Sequence, residues 1–310
     1  MMTAADRTLV LVTEATGRSG AGHAMRLGTL AAAWKRRGGR AVVIGAIELD
    51  FVQERYRGLG IEASDDGADL ASDVVVVDSY DAATRFAWSK RSGYGLRVLV
   101  DDTADGDLPR GFDVVWNPNA YGSASMYVNS PAVVLAGVDY LAIREGLPRW
   151  ASAGQTEILV TLGGGVPSQV LVESMYRLDA LLDSEDFVAT GDWAPPRWRR
   201  ISADRLWAEV PNARQLLVAA GTTVWEAAAV GIPVILLMTA DNQRLVYRWG
   251  RDAAIPGINT LLVDAEFLAH QLRSLLAVPS PLPAVADGTD RVVGRLIELL
   301  TSKGAVHATS

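Results

Sequence analysis

Short runs of apolar residues alternate along this chain with longer segments whose apolar positions recur at helical spacing. In the first half the short, β-branched runs predict strands at residues 8–13, 41–44, 74–78, 97–101 and 114–116. A helical pattern lies between the first two strands and stops at Gly38 and Gly39. This alternation predicts an α/β fold in which parallel strands are joined by crossover helices.

The same alternation restarts after a stretch of small residues, 151–155, which we expect to be an interdomain linker. Strands are predicted at 157–161, 186–189, 216–219 and 233–237, and a last helix at 290–301. We therefore predict two doubly wound, Rossmann-like domains, 1–150 and 151–310. Such halves hold a ligand in a central cleft that faces the carboxyl ends of both sheets.

Composition and charge argue against several classes of function. The net charge of -7 and the pI near 5.1 argue against nucleic acid as a partner, since binding to the phosphate backbone needs a basic surface. The absence of cysteine removes disulfides and thiolate chemistry and fits a reducing compartment, so a cytoplasmic location is expected. The apolar runs are far shorter than the roughly 20 residues that span a bilayer, so no membrane insertion is expected.

The first predicted strand leads into Gly20-Ala21-Gly22-His23, where a helix begins. Glycines at this place let backbone N–H groups approach a ligand. An imidazole has an ordinary pKa of about 6.5, so His23 is a candidate general base for a hydroxyl or a water molecule. The alternative is that His23 only packs at the start of the helix.

Two glycine loops in the second half are candidates for phosphate binding: Gly163 to Gly165, and Gly221-Thr222-Thr223 before a helix. Free N–H groups and the positive helix end suit a diphosphate without a lysine or a metal. Each loop taken singly could equally be a tight turn. Glu226 lies one helical turn beyond Thr222 and suits ribose hydroxyls, unless it is a solvated helix residue.

Two further polar pairs follow predicted strands. Asn242 and Gln243 offer amide groups where sugar hydroxyls are usually bound. Asp101 and Asp102 could suggest a hard cation, but no third ligand stands at motif spacing. We therefore expect neither a metal nor a cofactor. We interpret this pair as polar residues of the cleft or as residues that cap the loop.

Taken in order, these residues resemble the UDP-sugar hydrolase family of pseudaminic acid biosynthesis, a GT-B-fold family that hydrolyses UDP-2,4-diacetamido-2,4,6-trideoxy-altropyranose. That family is related to the peptidoglycan N-acetylglucosaminyltransferase. The motifs that carry the resemblance along most of the chain are Gly20-x-Gly22-His23-x-x-Arg26, Asp78-Ser79-Tyr80, Asp101-Asp102, Asn117-Pro118-Asn119-Ala120-Tyr121 with Ser125 and Tyr127, Tyr140-Leu141-Ala142-Ile143-Arg144-Glu145, Gly163-Gly164, Gly221-Thr222-Thr223-x-Trp225-Glu226 and Asn242-Gln243.

The resemblance implies a GT-B fold with an acceptor and sugar side in the first domain and a UDP-binding second domain. It implies that His23 is the catalytic base, that the glycine-threonine loop holds the diphosphate and that Glu226 holds the ribose. The substrate-binding residues would be Gly20, Gly22, Arg26, Tyr80, Asp101, Asn119, Tyr121, Gly163, Gly164, Gly221, Thr222, Thr223, Glu226, Asn242 and Gln243. The family's reaction is attack of water at the anomeric carbon without a metal.

The chain departs from the family pattern in two loops. Val12-x-Glu14 stands where Arg-x-Asp is usual, and Gly163-Gly164-Gly165-Val166 stands where Gly-Gly-Ser/Thr-Asp is usual. Such changes alter which polar groups of the sugar find a hydrogen-bonding partner. A site that leaves a buried polar group unpaired with one substrate discriminates strongly against that substrate. We therefore predict a glycosyltransferase that moves a sugar from UDP to a small acceptor. The alternatives are a hydrolase with water as acceptor, and a non-catalytic nucleotide-sugar-binding subunit.

Overall fold

The computed structural model describes residues 3–64, 72–103, 108, 110–151, 155–182 and 185–308, which belong to two compact units. The first unit consists of residues 1–144 and 286–310, and the second of residues 145–285. Within the described part of the first unit, a parallel sheet has the strand order β3-β2-β1-β4-β5-β6-β7. Its strands are β1 (Thr8–Val12), β2 (Arg40–Ile44), β3 (Glu62–Ser64), β4 (Ser72–Val77), β5 (Tyr94–Val100), β6 (Val114–Asn117) and β7 (Val133–Ala136).

Both faces of this sheet are covered, as its unbroken apolar strands require. Leu9 and Leu11 face the helix α1 (Gly22–Arg36), whereas Val10 and Val12 face the opposite side and pack near Trp88. Trp88 belongs to α3 (Ala82–Lys90), and α2 (Asp50–Gly58) packs beside α1. The alternation of side chains along each strand therefore separates two apolar layers.

The second unit repeats this design with the strand order β10-β9-β8-β11-β12-β13 in its described residues. The strands are β8 (Glu157–Thr161), β9 (Phe187–Thr190), β10 (Arg199–Ile201), β11 (Ala213–Ala219), β12 (Val234–Met238) and β13 (Gly257–Asn259). The helices are α4 (Gln169–Leu181), α5 (Leu206–Glu209), α6 (Thr223–Val230), α7 (Arg244–Asp252) and α8 (Ala265–Leu276). One face packs on α4 and α8, and Leu236 on the other face contacts Gly250 of α7.

The last helix, α9 (Thr289–Ala308), belongs to the first unit and not to the second. Its apolar residues Val292, Val293, Leu296 and Ile297 pack in the same core as Trp34 of α1. The observed division therefore differs from the predicted domains 1–150 and 151–310. The sequence shows that this helix has an apolar face, but it does not show which of two similar sheets receives that face. Residues 152–154 of the predicted linker lie outside the described residues.

Four strands were absent from the sequence prediction. β3, β10 and β13 are three-residue segments with the sequences Glu-Ala-Ser, Arg-Arg-Ile and Gly-Ile-Asn, so they carry no apolar run. β7 has apolar residues but is four residues long. All four lie at sheet edges, where burial imposes little pattern on a strand. Among the described helices, none has the length and apolarity to cross a bilayer.

Candidate functional site

The first unit gathers polar side chains at the carboxyl edge of its sheet, where β1, β4 and β5 are neighbours. His23 and Arg26 lie near the start of α1, which follows β1. Asp78 directly follows β4, and Asp101 and Asp102 directly follow β5. Neighbouring parallel strands end at one edge, so residues far apart in sequence meet there.

Asp78 is the centre of this cluster because it accepts hydrogen bonds from two side chains of α1. Its Oδ1 atom is 2.5 Å from Nδ1 of His23 and 2.6 Å from Nη2 of Arg26. Its Oδ2 atom accepts from Nε of Arg26 at 2.5 Å. His23 and Arg26 are three positions apart, so they lie on one face of the helix and reach the same carboxylate. We name His23, Arg26, Asp78 and Asp102 the buried charge cluster, since they expose 6%, 5%, 1% and 8% of their surface.

The protonation of Asp78 determines the tautomer of His23. Burial alone would raise the pKa of the Asp78 carboxyl, but Arg26 and His23 outweigh burial and hold that pKa well below its usual range. An ionised carboxylate only accepts hydrogen bonds, so Nδ1 of His23 carries the proton. Arg26 Nη2 also lies 3.0 Å from Nδ1, and both are donors that share Oδ1 of Asp78. The lone pair of the neutral imidazole is therefore on Nε2, as a general base requires.

Arg26 connects the pair of His23 and Asp78 to a second carboxylate. Its Nη1 atom donates to Oδ2 of Asp102 at 2.8 Å, and the hydroxyl of Tyr80 donates to the same oxygen at 3.0 Å. Burial would lower the pKa of Arg26, but Asp78 and Asp102 raise it well above its usual range, so the guanidinium stays charged. The Tyr80 ring lies edge-on to the His23 ring with 4.5 Å between centroids.

The segment from Asn117 to Tyr127 supports the end of β5. Tyr127 donates its hydroxyl to the backbone oxygen of Asp101 at 2.8 Å, and Tyr121 donates to the backbone oxygen of Asp102. Asn117 donates to the Tyr127 hydroxyl at 2.8 Å. Burial raises the pKa of both tyrosines, with the acidic neighbours adding to the effect, so both hydroxyls remain protonated donors. This segment fixes the backbone that carries Asp102.

Other predicted residues of the first unit form the surroundings of the cluster. Asn119 is buried and donates to Oδ1 of Asn117 at 2.9 Å. Asp101 accepts from Arg85 at 3.3 Å. Gly20 has a φ of 73°, in the left-handed region, and Gly22 is the first residue of α1. The structure therefore brings Gly20, Gly22, Arg26, Tyr80, Asp101, Asn119 and Tyr121 to the same edge as His23, while their contacts with a substrate stay predictions.

The predicted residues of the second unit also meet at one sheet edge. β8, β11 and β12 are neighbours, and they end next to Gly163, Gly221 and the turn Asp241–Gln243 respectively. Gly163 has a φ of 83°, and a Cβ at Gly163 or Gly221 would meet no heavy atom within 4 Å. Thr222 precedes α6 and makes no capping hydrogen bond through its side chain. The N–H groups of Val224 and Trp225 donate to the backbone oxygens of Gly221 and Thr222 at 3.1 Å. Among the described residues the N–H groups of Thr222 and Thr223 have no acceptor, so this helix end offers them to an anion.

The polar residues beyond these loops differ in their exposure. Glu226 is buried and accepts from Nε1 of Trp207 at 3.1 Å, so it is not a solvated helix residue. Gln243 uses its side-chain oxygen to accept from the backbone N–H of Thr239 at 2.8 Å, and Asn242 is exposed. The Gln243 contact fixes the loop after β12. The ligand roles of Gly164, Thr223 and these three residues stay predictions.

Comparison with known proteins identifies the architecture. No family model matches the sequence. The spore coat polysaccharide biosynthesis protein SpsG of Bacillus subtilis is 22% identical over 259 residues, which cover 74% of this chain and 75% of SpsG. The structure of MurG from Acinetobacter baumannii matches 94% of this chain and 99% of its own, with a TM-score of 0.62 at 16% identity.

A putative UDP-N-acetylglucosamine 2-epimerase from Listeria monocytogenes has a TM-score of 0.61 at 14% identity, over 94% of this chain and 95% of its own. The spinosyn rhamnosyltransferase SpnG in complex with thymidine diphosphate has a TM-score of 0.56 at 14% identity, over 98% and 99%. The chain has the GT-B fold. This confirms the predicted fold class, whereas the narrower resemblance to the pseudaminic acid pathway hydrolase stays a prediction.

Sequence reasoning gave no catalytic or substrate-binding role to two residues that the structure places at the site, Asp78 and Asp102. Both stand in the motifs of the resemblance, yet only Asp101 of the adjacent acidic pair was predicted to contact substrate. A signal for Asp78 existed: an aspartate directly after a buried strand, in a doubly wound sheet where that strand neighbours the one before His23. Asp101 and Asp102 could not be distinguished, because adjacent residues after a strand point to different sides.

Proposed function

We propose that this GT-B chain is an enzyme that breaks the anomeric carbon–oxygen bond of a UDP-sugar and transfers the sugar to a small acceptor. The observation that carries this proposal is the hydrogen bond between His23 and the buried, ionised Asp78. That bond orients the ring and leaves the Nε2 lone pair for a substrate proton. A histidine held in this way by a carboxylate is the usual arrangement of a general base.

The proposed reaction uses the two units in different roles. Nε2 of His23 takes the proton of the acceptor hydroxyl as its oxygen forms a bond to the anomeric carbon. The bond from that carbon to the diphosphate oxygen breaks, and its electron pair leaves with UDP. Asp78 stabilises the imidazolium that forms, because it lies 2.5 Å from Nδ1 and has no proton of its own.

UDP is assigned to the second unit. The N-terminal end of α6 at Thr222 and Thr223 supplies N–H groups and a positive dipole to the departing diphosphate. Gly163 and Gly164 allow backbone approach from the neighbouring strand end, and Glu226 accepts from ribose hydroxyls. The proposal is supported by the solved SpnG complex, in which a protein of this fold binds thymidine diphosphate.

The cluster favours a catalytic role over a silent binding subunit, because a buried carboxylate on the imidazole has no evident use in nucleotide binding. The similarity to SpsG, a spore coat polysaccharide biosynthesis protein, supports a part in sugar polymer synthesis. One base serves both an organic hydroxyl and water as the acceptor. We prefer transfer over hydrolysis because the chain departs from the family pattern in two loops, at residues 12–14 and 163–166.

The decisive experiment measures UDP release from a panel of UDP-sugars, with and without small hydroxyl acceptors. We expect at least one UDP-sugar to turn over, faster with an acceptor than without. Release that is independent of every acceptor would identify the hydrolase instead. In parallel, UDP alone should raise the melting temperature with and without a chelator, since a ligand stabilises the state it binds. No shift at millimolar UDP would contradict the nucleotide assignment.

A further inference from the structure

Asp102 has an oxygen atom that the cluster does not use. Its Oδ2 atom accepts from both Arg26 and Tyr80, whereas Oδ1 is buried and has no hydrogen-bonding partner among the described residues. The residue exposes only 8% of its surface. A buried carboxylate oxygen without a donor is destabilising, so such an atom in a native protein needs an explanation.

A neighbouring strand end shows a second atom of this kind. The hydroxyl of Thr13, directly after β1, is buried and has no partner in the described chain. β1 and β5 are the two strands that flank β4 in the sheet. Unused polar atoms therefore flank Asp78 on both sides at the edge where ligands bind in doubly wound folds.

The charge of the cluster indicates which ligand groups fit. Counted as formal charges with histidine neutral, the cluster has two carboxylates, those of Asp78 and Asp102, and one guanidinium, that of Arg26. Asp101 is paired with Arg85 at 3.3 Å and adds no net charge. The described cluster thus carries a net charge of about −1 in a buried environment, where charges interact more strongly than in water. This field attracts a hydrogen-bond donor or a cation and repels a carboxylate or a phosphate.

We propose that Asp102 is a specificity-determining residue whose Oδ1 atom accepts a hydrogen bond from a hydroxyl or ammonium group of a sugar-like ligand, and that the first-unit site disfavours anionic ligands. The terminal torsion of an aspartate is broad, so a small rotation turns Oδ1 towards an incoming donor. The ring of Tyr80, which is 42% exposed, is the accessible neighbour on this side. This inference rests on the proposed function, because it assigns a sugar to the first unit.

The test uses ligands that share one pyranose ring and differ in charge. Glucosamine, glucose and glucuronate are titrated into UDP-saturated protein by calorimetry, at a pH where the amine is protonated. UDP-glucosamine, UDP-glucose and UDP-glucuronate are titrated into free protein. A charge preference in the first series indicates that Asp102 binds a group of the acceptor molecule. A charge preference in the second series indicates that Asp102 binds a group of the sugar that is transferred. In at least one series we expect dissociation constants to rise from amine to neutral sugar to acid, spanning about ten- to a hundredfold.

Two variants test the role of Asp102 itself. Asp102→Asn keeps an oxygen for Arg26 and Tyr80 but replaces the unused oxygen with an N–H donor, so the preference should disappear. The control Asp113→Asn makes the same substitution outside the cluster, so the preference should remain. Circular dichroism verifies the fold, and if Asp102→Asn does not fold, Asp102→Ser, which also removes the carboxylate, replaces it and should likewise lose the preference.

The outcomes separate this inference from the proposed function. The proposed role of Asp102 would be overturned if neither series shows a charge preference in its dissociation constants. It would also be overturned if the preference survives in folded Asp102→Asn. The UDP melting shift and UDP release do not depend on that role. If both occur while the charge preference is absent, only the further inference fails. If UDP neither binds nor is released, the proposed function fails first.

Discussion

Replacing Asp78 with asparagine should remove the general base while leaving His23 in place. Asp78 uses Oδ1 for His23 and Arg26 Nη2, and Oδ2 for Arg26 Nε, so both oxygens accept. An asparagine has one oxygen and one amide NH₂ group. If the NH₂ group faces His23, it donates to Nδ1 and moves the imidazole proton to Nε2, which abolishes the base. If the NH₂ group instead takes the place of Oδ2, it meets the Nε donor of Arg26 and displaces the arginine.

The size of this effect can be bounded from general acid–base catalysis. A positioned base contributes about 10² to 10⁴ in rate, so kcat of Asp78→Asn should fall by that factor. This corresponds to about 2.7 to 5.5 kcal/mol in activation free energy. Loss of one partner from a buried ion pair also destabilises a protein by about 3 to 5 kcal/mol, so the variant should melt at a lower temperature.

The assay is UDP release under saturating substrate, combined with UDP binding by melting shift. We expect kcat to fall and UDP binding to persist, because UDP is assigned to the other unit. The matched control is Asp113→Asn directly before β6, which weakens ion pairs with Lys303 at 2.5 Å and Arg97 at 3.8 Å but touches no residue of the cluster. The double variant with His23→Ala should be no slower than His23→Ala alone, since residues that act as a unit are not additive. Wild-type turnover in a folded Asp78→Asn protein would refute the tautomer argument.

Three further outcomes are expected. His23→Ala should retain UDP binding and lose about 10²- to 10⁴-fold in turnover; equal losses of both would make His23 a ligand contact. Gly221→Val should weaken UDP binding without lowering the melting temperature of the free protein, because a Cβ there meets no heavy atom within 4 Å; unchanged binding would place the diphosphate elsewhere. The pKa of Asp78 is lower in the folded than in the unfolded protein, so its ionisation stabilises the fold above the unfolded pKa of about 3.9, and this stability is lost as the pH falls further. Melting scans at falling pH should therefore show a larger loss of stability for wild type than for Asp78→Asn. Parallel curves would contradict the assignment.

The strands of both sheets could be predicted where they are buried on two faces. β1, β4, β8, β11 and β12 each contain an unbroken run of three to five apolar residues, which is typical of a short strand that is buried on both faces. The short edge strands could not be predicted, because each has at most one buried position. The destination of α9 was also out of reach, since a choice between two similar sheets depends on shape that periodicity does not encode.

The candidate site shows a similar division between what composition reveals and what packing decides. His23 was a candidate because it follows a glycine turn after a strand, but the sequence left packing and catalysis equally open. The 2.5 Å contact with Asp78 supports the proposed catalytic role. That contact depends on strand order, which places β4 beside β1 although β2 and β3 come between them in the chain. The partner of this candidate base is therefore a property of topology and not of local pattern.

The arrangement also indicates where specificity can change. In the cluster, Arg26 bonds both Asp78 and Asp102, so replacing any one of these residues uncovers a buried charge on another. The two departures from the family pattern leave these charges in place. Val166 is 86% exposed and Glu14 is partly exposed, so these positions can vary without leaving a buried charge unpaired. Val12 is buried at the end of β1, but it meets Asp78 through its backbone oxygen, which accepts from the Asp78 N–H at 2.9 Å. A change of sugar or acceptor is therefore most compatible with the fold in these loops, while the base and its carboxylate stay as they are.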